Sequence, residues 1–129
     1  MRRSPEEFLR DILESIEAIF DYSRKGRGHF EKTPMVRDAT SARLMQIGQA
    51  VKDAQTAGAK LDQLAPSIRW RDIAGMRDRL AHKYWDIDHE IVWLVIENEL
   101  PKLKAGVEKL LEPRPKSRKR QILLGGRKK

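Results

Sequence analysis

Apolar residues recurring every three or four positions, punctuation at the ends of those runs and scarce strand-forming sequence together predict an all-α protein. The expected architecture is an antiparallel four-helix bundle carrying a basic C-terminal tail. Only eight aromatics (three Trp, two Tyr, three Phe) are present, and runs of β-branched residues, which pack well on a pleated surface, are few. The 129 residues suffice for one core.

The first helix is expected over about residues 5–24. Ser4 is an N-cap, Pro5 takes the first helical position, and Glu7 stands three residues after the cap. Phe8, Leu9, Ile12, Leu13, Ile16, Ile19 and Phe20 form its stripe, which Gly26 and Gly28 close. Thr33-Pro34 opens a second helix in the same way, with Leu44, Ile47, Val51 and Ala54 inward and Gly58 just past its end. Its small residues Ala39, Ala42, Gly48 and Ala50 suggest close approach to a neighbour. Leu61 and Leu64 read as apolar plugs in a connecting loop closed by Pro66. A third helix is expected from Trp70 to Lys83, with Ile73, Met76 and Leu80 buried. Asp88 then caps a fourth, lined by Ile91, Val92, Leu94, Val95 and Leu100. Pro101 kinks this helix or starts a new segment, because it lacks an N–H and clashes with the preceding turn. The pattern runs on to Glu112, where Pro113 and Pro115 end it.

Charge divides the chain at that point. Eight of the 27 Lys and Arg residues and none of the 19 Asp and Glu residues lie after Glu112, so residues 1–112 carry 19 of each. The net charge of +8 therefore belongs to residues 113–129, and a basic appendage on a neutral domain is a weaker pointer to a nucleic-acid-binding fold than a basic domain. Blocks of like charge with Pro and Gly are expected to be disordered. Arg114, Lys116, Arg118, Lys119 and Arg120 are candidate RNA-phosphate ligands, and Ile122-Leu123-Leu124 is an apolar island among them. The absence of Cys excludes a disulfide framework and Cys-based metal sites. His29, His82 and His89 are scattered, so no metal site is expected. The charged N-terminus reads as neither signal peptide nor anchor, and no apolar run approaches the roughly 18 residues of a membrane span. A cytoplasmic protein with no membrane association is expected.

Phosphate-binding Gly-rich loops and nucleophile elbows are absent. One segment concentrates reactive groups: Arg77, Arg79, His82, Lys83 and Tyr84 fall within eight positions at the end of the third helix. Its bland reading is a solvated polar face around Leu80, with His82 a favourable cation at a helix C-terminus. The chemical reading rests on what the groups can do. Arg binds phosphate oxygens bidentately, and His moves protons near neutral pH. Together they suffice for RNA cleavage by 2′-OH attack without metal, with Arg stabilising charge on the phosphoryl oxygens. Residues 77 and 82 differ by about 140° on an ideal helix. They converge only if the helix ends before His82 or if the phosphate lies between two copies, and a symmetric dimer satisfies the second condition.

The spacing of Arg77, His82 and Tyr84 resembles the signature of the HepT-like toxins, a branch of the HEPN superfamily of helical ribonucleases. ARLMQIGQAV (42–51) is similar to that family's second-helix segment, Ile68 to Arg77 to the stretch leading into the motif, and Trp93 with ENELPKLK (97–104) to its last helix. The resemblance covers about residues 5–112. It implies a HEPN-like bundle that forms a homodimer, with a composite metal-independent endoribonuclease site at the dimer cleft. It also implies a toxin–antitoxin pair of the type VII kind. Arg77 and His82 take the places of the catalytic pair, and Asp78 that of a polar residue following the Arg. Arg79 and Lys83 add charge beside them. Tyr84 falls where a minimal nucleotidyltransferase antitoxin attaches AMP drawn from ATP, placing negative charge beside the phosphate site. The ribonuclease itself needs no cofactor on this reading. Two positions depart from the pattern: Gln49 stands where Glu is common, and Lys83 where a polar or acidic residue is common. Two other functions fit the same sequence, a non-catalytic module that binds the nucleotidyltransferase and a nucleic-acid binder working through the basic tail.

Overall fold

The computed structural model describes residues 3–82 and 86–112. Helices account for most of them: α1 (Pro5–Tyr22), α2 (Arg27–Lys32), α3 (Pro34–Thr56), α4 (Leu61–Leu64), α5 (Trp70–His82), α6 (His89–Leu94) and α7 (Leu100–Leu111), with a π-helical turn, Val95–Glu99, joining the last two. No strand occurs among the described residues. Nor is any described helix long and apolar enough to cross a membrane.

The capping box expected at the start of α1 is formed: the Ser4 hydroxyl accepts from the Glu7 N–H at 3.3 Å, and the Ser4 N–H donates to Glu7 Oε1 at 2.8 Å. The Ser23 hydroxyl, 2.7 Å from the Ile19 carbonyl, ends the helix, and Gly26 turns the chain with φ +95°. Helix α2 was not expected, because Gly26 and Gly28 look like loop and only Phe30 of its six residues is buried. Pro34 starts α3 as expected.

Helix α3 lies between α1 and α5, while α7 covers another face of α1. The α1–α3 pair is antiparallel: Arg3 lies near enough to Asp53 to feel its charge, and a dozen residues later Ser15 meets Gln46 and Arg43 at 3.4 Å. Ile12, Ile16 and Ile19 of α1, Leu44, Ile47 and Val51 of α3, and Leu100 and Val107 of α7 are almost completely buried in one core with Phe30, Leu61 and Trp70. The Trp70 indole N–H donates to the Ala65 carbonyl at 3.0 Å, tying the start of α5 to the loop before it.

Three expectations need correction. Leu61 plugs the core, but Leu64 is exposed, because the short α4 turns only one of its two leucines inward. Ile91 and Leu94 are also exposed, and Trp93 and Ile96 are buried in their place. The third difference lies near Pro101. The break near Pro101 is a π-turn running up to Glu99, with Pro101 in the first turn of α7, where its missing N–H matters least. Before the π-turn, Trp93 packs on Phe30 with ring centroids 5.2 Å apart; after it, α7 packs on α1.

Candidate active site

Helix α5 carries Arg77, Arg79 and His82, and packing against α3 fixes its position. Trp70, Ala74 and Leu80 are its buried residues, with Ile73 and Met76 partly buried against the same core. At the crossing, Gly48 faces the backbone of α5. A Cβ added there would lie 2.7 Å from Arg77 Cβ, 2.9 Å from the Ile73 carbonyl oxygen and 3.0 Å from Arg77 N. Of the small residues flagged on this helix, Gly48 is the one that allows this approach, whereas Ala42 is exposed. The root of Arg77 is therefore set against α3 by the absence of a side chain.

The Arg77 guanidinium donates to Asp78 Oδ1 at 3.2 Å. The other oxygen of the same carboxylate accepts from Lys52 Nζ of α3 at 2.8 Å. The Lys52 hydrogen bond does most to hold the Asp78 carboxyl below its usual range; desolvation opposes it, and the hydrogen bond from Arg77 adds to the lowering. The result is a carboxylate shared between two cations from different helices. Lys52 was not singled out from the sequence. The available signal was its place one turn after Gly48, on the face that meets α5.

The remaining candidates are distributed differently. Arg79 does not join this group. Its guanidinium folds back towards Gly75 and lines an open cleft of about 1410 Å³ between α1, α5 and α7, together with Asp72 and Met76. His82 is exposed in the last turn of α5. Because α5 stays helical through His82, Arg77 and His82 point about 140° apart within one chain, and the structure does not bring them together there. Lys83 and Tyr84 lie outside the described residues, as do Arg114, Lys116, Arg118, Lys119 and Arg120. Gln49 donates to Asp53 Oδ1 at 2.9 Å on α3, so a carboxylate lies one turn from this position. Among the described residues, no group of three or more His, Cys, Asp or Glu side chains is placed to hold a metal ion.

Fold and motif together define the class, an all-α HEPN-like protein with an Arg–His motif on one helix. The sequence matches the family described as "Ribonuclease HepT-like" over residues 12–110. The chain belongs to that family. It is 34% identical over 111 residues to "Probable ribonuclease HepT" of Thermococcus cleftensis, covering 85% of this chain and 98% of the relative. It is 33% identical over 119 residues to a "Gamma-glutamylcyclotransferase and putative RNase" of Methanocaldococcus jannaschii. That alignment takes 92% of this chain but only about half, 52%, of the relative. A "Putative RNase" of Caldanaerobacter subterraneus is 32% identical over 112 residues, with 85% of this chain and 96% of the relative covered. No solved structure matches the chain.

Proposed function

We propose that this protein is a metal-independent endoribonuclease acting as the toxin of a toxin–antitoxin pair, with Arg77 and His82 as its catalytic residues. The observation that carries the reading is the placement of both residues on one unbroken helix whose Arg is seated against α3, in a chain of the HepT-like ribonuclease family. Two copies related by a twofold axis bring Arg77 of one chain to His82 of the other, which removes the 140° mismatch. The 2′-OH then attacks the adjacent phosphorus and the P–O5′ bond breaks, leaving a 2′,3′-cyclic phosphate and a free 5′-hydroxyl. His82 moves the proton taken from the 2′-OH and needed at the departing oxygen. Arg77 stabilises the charge that grows on the non-bridging oxygens. A nucleotidyltransferase antitoxin silences the site by attaching AMP to Tyr84, where the added phosphate repels substrate phosphate.

Purified protein is expected to cleave single-stranded RNA in the presence of EDTA. Arg77→Ala and His82→Ala should each lower the rate by about 10²–10⁴. Cleavage that needs magnesium or survives His82→Ala overturns the mechanism. After co-expression with a nucleotidyltransferase antitoxin, the Tyr84 peptide should gain the mass of one or more AMP units. An unmodified Tyr84 in a silenced protein removes that part of the reading. Tight association with the nucleotidyltransferase and no cleavage under any condition would favour the non-catalytic module.

A further inference from the structure

We propose that Lys52 of α3 is a second RNA-binding cation of this site, paired with Arg77 to grip one backbone phosphate. The inference rests on the ribonuclease reading above and extends the site to a helix outside the Arg–His motif. Its starting point is how Asp78 is used. One oxygen of that carboxylate meets Lys52 at 2.8 Å and the other meets Arg77 at 3.2 Å. A carboxylate bridging two cations through its two oxygens occupies the position that two non-bridging oxygens of a phosphodiester would take between the same cations. Asp78 thus holds both side chains in a phosphate-binding arrangement.

Exposure argues against a purely structural role. The side chains of Lys52, Arg77 and Asp78 are 36%, 42% and 47% exposed, and ion pairs this open to water add little to stability. They are also reachable by a polyanion. The backbone beneath them is fixed, because α3 and α5 touch at Gly48, one turn before Lys52 and directly against Arg77. Two cations against one acid leave this group with a net charge of +1, although residues 1–112 as a whole carry 19 charges of each sign. When RNA binds, the phosphate takes over both cations and the Asp78 carboxylate turns out to solvent. Asp78 is therefore a positioning residue, holding Lys52 and Arg77 ready but repelling the anion that replaces it.

The test measures binding of the full chain to a single-stranded RNA oligomer with 2′-O-methyl groups, which cannot be cleaved, across a salt series. Cleavage of the unmodified oligomer is followed in parallel. Lys52→Ala should weaken binding roughly tenfold. It should also lower the slope of log affinity against log salt by about 0.7 for each phosphate that is no longer neutralised. Lys52→Gln, which can still donate to Asp78 without the charge, should show the same losses, and Lys52→Arg should keep both affinity and slope. Asp78→Asn should bind at least as tightly as the parent. Unchanged affinity and slope in Lys52→Ala and Lys52→Gln overturn the proposal. So does an equal loss of binding in Lys52→Ala and Asp78→Asn with the slope unchanged, the result expected of a structural ion pair. If the parent chain leaves the unmodified oligomer intact, the ribonuclease reading fails; if the parent cleaves and the Lys52 variants bind like it, only this inference fails.

Discussion

The missing side chain at position 48 decides how near Arg77 stands to α3. In an exposed helix interior, Gly→Ala is favourable by about 1 kcal/mol. Here the new methyl would press on Arg77 Cβ at 2.7 Å and on the Ile73 carbonyl at 2.9 Å. Both belong to the rooted part of α5, which cannot swing away as a flexible side-chain end would. Overpacking of this kind costs about 1–3 kcal/mol and outweighs the propensity gain. Gly48→Ala should therefore lower the urea midpoint and displace Arg77, reducing cleavage as well. A midpoint equal to or above the parent's would show that the helices separate without penalty. The sequence made Gly48 visible as a small residue but could not distinguish it from Ala42, since which small residue faces the neighbour depends on the crossing point. Lys52 was missed for a related reason. Its partner Asp78 is 26 residues away, and no periodicity within one helix reports an ion pair between two.

Caps and stripes are local signals, and so α1, α3 and α5 were legible to within about two residues of their ends. The C-terminal helix was harder, because residues 91–96 are apolar in unbroken succession, and periodicity within such a run does not mark Val92, Trp93 and Ile96 rather than Ile91 and Leu94 as the inward set. Where α6 begins, the half-buried His89 packs edge-on to Phe30, with centroids 6.3 Å apart and planes at 73°. Its Nδ1 is buried without a hydrogen-bond partner among the described residues. Burial, and after it the positive charge of Arg37, hold its pKa below 6.5, while Asp38 and Asp88 pull weakly the other way. The folded chain thus keeps His89 neutral at a pH where the unfolded chain protonates it. This contribution to stability is complete above pH 6.5 and is lost as pH falls from there through the lowered folded value. Thermal melts should show a smaller drop in Tm between neutral and mildly acidic buffer for His89→Gln than for the parent. Equal drops would place the acid sensitivity elsewhere.

Helix, motif and family resemblance were readable from the residues alone, and the family match over residues 12–110 agrees with them. The arrangement of the reactive groups was less so. Arg77, Arg79, His82 and Lys83 look like one cluster when written in a line. On the helix, Arg79 turns to the cleft beside α7, while Arg77 joins Lys52 through Asp78. A net charge of +8 likewise says little about this site, since all of the excess lies beyond Glu112.

That α5 remains helical through His82 has a genetic consequence. In the twofold arrangement proposed above, each site takes its Arg from one subunit and its His from the other. A dimer of one Arg77→Ala chain and one His82→Ala chain then contains one site lacking both groups and one site with both intact. Random mixing makes half of the dimers mixed, so two inactive proteins unfolded and refolded together should recover about a quarter of the parent activity. Sites assembled within single chains would recover none. Two different null alleles of this gene in one cell should therefore complement each other, and toxicity should return from a pair of harmless copies.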